Sequence, residues 1–436
     1  MGFTVLPASW FGPKATAAPS NRVRVVGVGV GGRGGSDIRA VAREGAEVVG
    51  LCEVDQKRGA KIYKAFPKAK TFEDYRVMFD RLDREFDGVV VGTPDHSHAV
   101  ITIEAMERGK HVYCEKPLTR TINEVRRVME VARRTKVVTQ LGNQGHSSRD
   151  IRRLCEWVWA GAIGTVKEVH VGSAAFPGLY SQIRNLDKIN KHYDVPEHLN
   201  WDLWIGPVQY RPYTPFYHPF NWRGWLPFGT GRIGDWFCHV VDPAYWALGL
   251  TEPITVRAEV VGYDPKKHGL TSPPGSKITY EFATKQGGRM RVTWYDGKIP
   301  IPHLPGIPKD VKIPKTGGIL VGTKGFIIHG SHGAGGCFIV PDELMDQYSG
   351  KNAPPQRIPR VKNHAWDWLE AIRTGRRAGS DFATYGGPLT EAALIGLVAI
   401  RFPGVTLRWD EKAGRFTNLP EANTYLDPHY RAGWHL

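Results

Sequence analysis

Three things are scarce in this sequence, and each scarcity removes a class of protein. No run among the 436 residues approaches the ~18 consecutive apolar residues of a membrane-spanning helix, so nothing in it is built to cross a bilayer in that way. Cysteine is sparse: Cys52, Cys114, Cys155, Cys238 and Cys337 are odd in number and lack C-x-x-C spacing, which argues against a disulfide framework or a zinc site, and no metal is expected. Acidic residues are outnumbered, 43 against 58 lysines and arginines, for a net charge of +15. Such an excess invites nucleic acid. Its densest group, however, is Arg120, Arg126, Arg127, Arg133 and Arg134, which alternate with Val125, Val128 and Val131 as on an amphipathic helix with one solvated face. No nucleic-acid-binding motif accompanies them, so neither nucleic acid nor membrane is an expected partner, and long-range attraction of an anionic substrate is what the charge leaves open.

What is present is ordinary globular material, 41% hydrophobic and 23% charged, in a chain too long for a single average domain. Residues 1–21 hold a short apolar stretch, 3–12, followed by Ala15-Thr16-Ala17. This small-x-small pattern reads either as the tail of a shortened export signal, which implies a periplasmic protein, or as an arm on a cytoplasmic one.

From Arg22 the texture becomes regular. Valine-rich runs at 23–28, 46–52, 87–93, 111–114 and 136–140 predict strands, and amphipathic stretches at 36–44, 56–65, 98–108 and 122–134 predict helices. Their alternation makes residues 22–145 a doubly wound α/β domain on a parallel sheet. In residues 146–436 strands arrive without helices between them, at 168–175, 254–263, 277–283, 289–295 and 325–329, before helices at 364–374 and 389–400. That pattern predicts a second, α+β domain with an open mixed, mostly antiparallel sheet. Between its first two strands lies a segment, 177–232, crowded with tryptophan, tyrosine and proline. Loops longer than ~12–15 residues are uncommon unless functional or disordered, and this many aromatics argue for an ordered, site-forming insertion.

The chemistry begins at Gly29-Val30-Gly31-Gly32-Arg33-Gly34, a G-x-G-x-x-G between a strand and a helix. Glycines there permit a tight turn and let backbone amides approach a pyrophosphate at the helix N-terminus. A second register, Gly27, Gly29 and Gly32, also fits, but the first leaves the strand intact. Glu53 ends the next strand nineteen residues after Gly34, where a carboxylate would bind ribose hydroxyls, and Asp55 is the neighbouring candidate. By charge, Glu53 favours NAD over NADP, although Arg33, Lys57 and Arg58 lie close enough in sequence to oppose that preference.

Three further motifs fall in order along the chain: Thr93-Pro94-Asp95-His96-Ser97-His98, Cys114-Glu115-Lys116-Pro117, and Gly234-Asp235-Trp236-Phe237-Cys238-His239. With Phe326, the helix beginning near His364 and the closing Tyr430-Arg431-Ala432-Gly433-Trp434, they make the chain resemble the Gfo/Idh/MocA oxidoreductases over nearly everything after its first twenty residues. The resemblance implies a Rossmann domain and a second α/β domain, NAD(P) at the strand ends, and a small carbohydrate or polyol against the nicotinamide. It also implies a homodimer or homotetramer assembled through the second sheet. Lys116, Asp235 and His239 match the family's active-site lysine, aspartate and histidine, while Thr93, Pro94, His98 and Glu115 match positions lining the nicotinamide half.

The residues themselves suit such a role. Asp235 and His239, at i and i+4, share a helix face, so the carboxylate is placed to orient the imidazole and fix its tautomer. Histidine titrates where a hydroxyl proton must be taken, and Lys116 would donate to the reacting oxygen with a pKa depressed by the cationic nicotinamide, so either group can be the base. Pro243 kinks the helix or restarts it, with Asp242 as cap and Pro243 at its first position in the second case. For substrate contacts, Phe220-Asn221-Trp222-Arg223-Gly224-Trp225 offers Arg223 and Trp225. After the last strand of the first domain, Asn143 faces the cofactor and Gln144 and His146 the substrate. Three functions follow: NAD-dependent oxidation of a secondary hydroxyl on a sugar, glycoside or polyol; an NAD-dependent glycosidase that oxidises its substrate transiently and eliminates the aglycone; or a noncatalytic NAD-binding protein, against which the joint presence of Lys116, Asp235 and His239 speaks.

Overall fold

The computed structural model describes residues 22–436, so the apolar stretch and small-residue pattern at 1–21 lie outside the described residues. Among the described residues the strands form two sheets. The first contains β1 (Arg24–Val28), β2 (Glu47–Cys52), β3 (Lys70–Phe72), β4 (Gly88–Val91), β5 (His111–Cys114) and β6 (Thr139–Leu141), in the order β3-β2-β1-β4-β5-β6. Every neighbouring pair is parallel. The run Gly-Val-Val-Val of β4 is buried throughout, as expected of a strand covered on both faces. Strand order reverses between β1 and β4, and at such a switch point the loops beyond the carboxyl ends part to leave a crevice.

The second sheet holds β7 (Val166–Ser173), β8 (Leu250–Val261), β9 (Gly275–Thr284), β10 (Arg289–Gly297), β11 (Thr316–Gly322), β12 (Phe326–Gly330), β13 (Phe338–Val340), β14 (Thr406–Asp410) and β15 (Arg415–Phe416). Its order is β13-β12-β11-β7-β10-β9-β8-β14-β15, with β7 and β10 parallel and the other described pairs antiparallel. Ile278, Tyr280, Phe282, Val292 and Trp294 are fully buried on one face. Over them lies the helix Gly387–Ala399, which is apolar and buried on all sides and also touches the helix Ile122–Thr135 of the first domain. One helix thus serves both cores.

Several expectations need correction. Within residues 146–436, the helix His364–Thr374 packs into the first domain's core rather than against the second sheet's buried face: Ala365, Trp368 and Leu369 pack with Val25, Ile38, Val90 and Tyr113. The helix Gly231–Val240 stops before Pro243 and a new one, Asp242–Ala247, starts with proline in its first turn, but the capping position is Val241 rather than Asp242. Strands β3, β13 and β15 are too short to carry a period, and β11, Thr-Gly-Gly-Ile-Leu-Val-Gly, reads as a turn. The aromatic insertion is ordered around its own core, with Trp201 and Trp204 stacked at 4.7 Å and Trp225, Tyr217 and Phe228 packed beside them. Its backbone is laced to the loop after β2: the Gln56 amide donates to the His198 carbonyl and the Asn200 amide to the Val54 carbonyl, each at 2.9 Å. No helix among the described residues is long and apolar enough to cross a membrane.

Because Trp368 is fully buried in the first domain's core, Trp368→Ala should cost about 3–5 kcal/mol of stability, although the residue lies more than two hundred positions beyond that domain's last strand. Chemical denaturation followed by circular dichroism measures this, and an unchanged midpoint would contradict the packing.

Candidate active site

A cleft of about 390 Å³ runs from the glycine turn after β1 to the helix Gly231–Val240 of the second domain. At its first end the turn is glycine for steric reasons. Gly29 has φ +76°, and a Cβ on it would lie 2.6 Å from the Thr93 amide nitrogen. A Cβ on Gly34, in the first turn of the helix Arg33–Arg43, would lie 2.4 Å from the Gly29 carbonyl oxygen, so helix and strand can approach only there. Gly31 and Gly32 line the cleft, and the Gly31 amide donates to the Glu53 carboxylate at 2.6 Å. Burial pushes the Glu53 carboxyl above its ordinary value, opposed by the Asp55 and Gly31 amides and by Arg58.

Further along, the loops after β4 and β5 are tied together by His98, whose ring nitrogens face the Pro117 carbonyl at 2.8 Å and the Thr93 carbonyl at 2.9 Å. Burial opposes a charge on this ring, but Cys114, Asp95 and the Pro117 carbonyl push it up to about 10, so it donates to both carbonyls. Thr93, Pro94 and His98 all border the cleft. Glu115 is held by Arg33 Nε at 3.2 Å and Gln144 Nε2 at 2.5 Å, and all three residues line the same space.

At the second end Lys116 meets Asp235. The Lys116 ammonium pairs with the Asp235 Oδ1 and donates to its backbone carbonyl at 3.0 Å, while Tyr180 donates its hydroxyl to Oδ2 at 2.5 Å and Arg223 stands 3.7 Å away. Burial would raise the Asp235 carboxyl, but Lys116 and Arg223 hold it well below the usual carboxylate range. Burial would lower Lys116, but Asp235 and Glu115 raise it above its ordinary value. His239, buried on the same helix, is pushed well below 6.5 by burial, by Lys116 and by the neighbouring His332. Its Nδ1 has no hydrogen-bond partner among the described residues.

This arrangement differs from the expected pairing of Asp235 with His239. The carboxylate instead meets an ammonium and a phenol, whose attraction exceeds what a neutral imidazole offers. The amine is thereby kept charged and the imidazole neutral, which separates two groups that the sequence left interchangeable.

Four other expected site residues lie away from the cleft. Asp55 caps the helix Gln56–Ala65 through the Arg58 amide and takes His198 at 2.9 Å and His218 at 3.2 Å, so its carboxylate is spent on the insertion. Asn143 is fully buried and donates to Asp242 at 3.3 Å. His146 also binds Asp242, at 3.0 Å, and is stacked on Trp246 at 4.4 Å. Trp225 is fully buried, its indole donating to the Phe216 carbonyl, because the insertion's own core needs it. Arg223 does face the cleft, but its aromatic neighbours are Trp222 at 4.2 Å and Phe220 at 4.4 Å.

Sequence reasoning missed Tyr180, Trp236 and His332. Tyr180 accepts a hydrogen bond from the Trp236 indole at 2.9 Å and passes its own to Asp235, a role to which only its place in the aromatic insertion pointed. His332, in a glycine-rich turn, carries no periodic signal at all.

Comparison with known proteins agrees with this geometry. A family model described as an oxidoreductase family with an NAD-binding Rossmann fold matches residues 22–143, and the model for its C-terminal alpha/beta domain matches residues 148–290. A levoglucosan dehydrogenase of Pseudarthrobacter phenanthrenivorans is 25% identical over 200 residues, 46% of this chain and 42% of that protein. A glycosyl hydrolase family 109 protein of Shewanella sp. (strain W3-18-1) is 30% identical over 175 residues, 38% of this chain and 37% of that one. The chain therefore spans less than half the length of these curated relatives. Among solved structures, an aldose-aldose oxidoreductase from Caulobacter crescentus complexed with glycerol superposes with a TM-score of 0.57 at 16% identity, over 89% of this chain and all of the other (100%), a likeness of fold.

The glycine turn, which no side chain can enter, the Glu53 carboxylate at its rim and the continuity of the cleft to Lys116 all fit NAD. Replacing Glu53 by glutamine should weaken NAD binding roughly ten-fold and narrow its advantage over NADP. Calorimetric titration with both nucleotides reads this directly, and equal NAD affinity in the variant would remove Glu53 from the cofactor site.

Proposed function

The chain belongs to the Gfo/Idh/MocA oxidoreductase family, and on that premise we propose that it moves a hydride between nicotinamide and the carbon of a secondary hydroxyl on a sugar, glycoside or polyol. One observation carries the reading: Lys116, paired with Asp235, and the buried His239 border the same cleft as the glycine turn. NAD, held by Gly29, Gly31, Gly32, Arg33 and Glu53, supplies the hydride acceptor when bound.

The protein's own groups supply the rest. Lys116 donates a hydrogen bond to the substrate oxygen, and Asp235, with Tyr180 behind it, keeps that ammonium charged and aimed. His239 is unprotonated at neutral pH and takes the hydroxyl proton as the carbon is oxidised, which places the base on the imidazole and the oxygen-stabilising donor on the lysine. Trp222, Trp236 and Phe176 offer flat apolar faces to the C–H side of a ring, and Arg223 and Gln144 offer donors to its hydroxyls. Lys116, Asp235 and His239 are the catalytic residues of this proposal.

Redox-assisted glycoside cleavage is the second reading, supported by the family 109 relative. It starts with the same proton and hydride steps. The carbonyl so formed lets the adjacent C–H proton and the aglycone leave, water adds across the resulting double bond, and the hydride is then returned to the carbonyl. Supplying NAD with a panel of sugars, glycosides and inositols separates the two. Net formation of reduced cofactor supports the dehydrogenase, product release without it supports the glycosidase, and no turnover of any member would overturn both.

Within a productive pair, His239→Ala should lower kcat/KM by ~10²–10⁴. The pH dependence has a definite sign. A base acts when neutral, so activity is retained above its pKa and lost as pH falls through it, and because burial and Lys116 depress His239 the acid limb should lie below pH 6.5. A limb above that value would place the base elsewhere.

A further inference from the structure

The segment Ser331–Ala334, which follows β12, is strained where it meets the cleft. His332 adopts φ 53°, ψ 58°, a left-handed conformation unfavourable to a residue with a Cβ. The surroundings enforce it. A Cβ on Gly145 would lie 2.0 Å from the His332 carbonyl carbon, one on Gly333 would lie 1.8 Å from the Gly145 oxygen, and Ser148 donates its hydroxyl to the Gly333 carbonyl at 2.6 Å. Two glycine backbones in contact therefore clamp the turn against the loop that follows β6.

The clamp brings one ring to a particular place. The His332 imidazole lies over that of His239 with centroids 4.2 Å apart and planes 27° from parallel, and it meets the Trp236 indole at 90°. His332 is exposed at the mouth of the cleft whereas His239 is only 4% exposed, so one ring forms the solvent-side cover of the other. Among the described residues no carboxylate or carbonyl holds the His239 ring, whose Nδ1 is without a partner; the stacked ring of His332 and the edge-on indole of Trp236, at 5.8 Å and 64°, are what orient it.

We propose that His332 is a positioning residue for His239, fixing the plane of its ring and screening it from bulk water so that it remains an unprotonated base. The proposal rests on the reading of His239 as that base. The groups facing His239 are Lys116 from the loop after β5, Asp235 on its own helix, Arg33 from the glycine turn, and His332. His332 faces Lys116, Arg33, Glu115 and Asp235. Two imidazoles this close cannot both be protonated without repulsion, so they titrate as a pair, and the exposed member takes the first proton. A charged His332 then holds His239 neutral further into acid.

Histidine-selective NMR titration of the full-length protein, without substrate, tests this whether or not a turnover assay is available. In His332→Asn, which tolerates the left-handed backbone, the His239 ring should titrate about one pH unit higher, toward 6.5, with thermal stability unchanged. His332→Phe, which restores the flat cover but not the charge, should bring the titration part of the way back toward that of the native protein. Once a substrate is known, the acid limb of kcat/KM should move upward with the NMR value in the Asn variant. An unshifted His239 in His332→Asn, or a Phe variant as shifted as the Asn one, would overturn the proposal. Failure of every substrate to turn over, with the NMR shift present, would instead count against the base assignment alone.

Discussion

One pairing across the cleft governs the site: the Lys116 ammonium, from the first domain, against the Asp235 carboxylate, from the second. Both side chains are largely removed from water, and a buried pair is weak evidence for stability, because desolvation consumes most of what attraction gains. Its firm consequence is a distribution of charge. The lysine stays protonated, the aspartate stays ionised, and His239, buried beside a cation while Asp235 is taken up by Lys116 and Tyr180, stays neutral. On the proposed reading, donor and base are thereby told apart before any ligand enters.

A pairing between domains is only as reliable as the joint that sets its distance, and here the chain crosses that joint repeatedly. The helix His364–Thr374 completes the first core, and Gly387–Ala399 lies between the two cores. The insertion is hydrogen-bonded to the loop after β2, and at the tail Tyr430 donates to Glu124 at 2.5 Å while Arg76 lies over Trp434 at 4.8 Å. The two halves cannot rotate freely about a single linker, which is what a site built from one residue of each requires.

Much of this was legible in the sequence, and the boundary of legibility is physical. The parallel sheet announced itself because valine-rich strands buried on both faces read as continuous apolar runs, and the glycine turn did so because Gly29 and Gly34 stand where no Cβ fits. Lys116, Asp235 and His239 came through motif resemblance, and the structure brings them to one cleft. What failed was pairing. A helical i, i+4 spacing allows Asp235 to touch His239, but only the fold reveals that Lys116, 119 residues away in sequence, is the nearer and stronger partner. Asp55, Asn143, His146 and Trp225 have the right chemistry in the right loops, yet each is consumed by a neighbour that sequence spacing cannot announce. His332 is the converse case, a side chain whose position is set by two glycine backbones pressing together.

On the proposed reading, the aromatic insertion is what would decide how the shared chemistry is used. Removing a hydroxyl proton to a neutral imidazole while an ammonium steadies the oxygen is common to alcohol oxidation and to the first step of redox-assisted elimination, so the Lys116, Asp235 and His239 geometry is indifferent between them. The distinction lies in whether the substrate carries a leaving group beside the oxidised carbon and whether the cleft has room for it. Phe176, Phe220, Trp222 and Arg223 border that space, and all but Phe176, which immediately precedes it, come from the insertion rather than from either sheet. The sheets hold the reacting groups at fixed separations, and a segment with a core of its own can change its outer residues without disturbing them. Divergent outcomes on a constant reaction centre are therefore what this division of the structure permits.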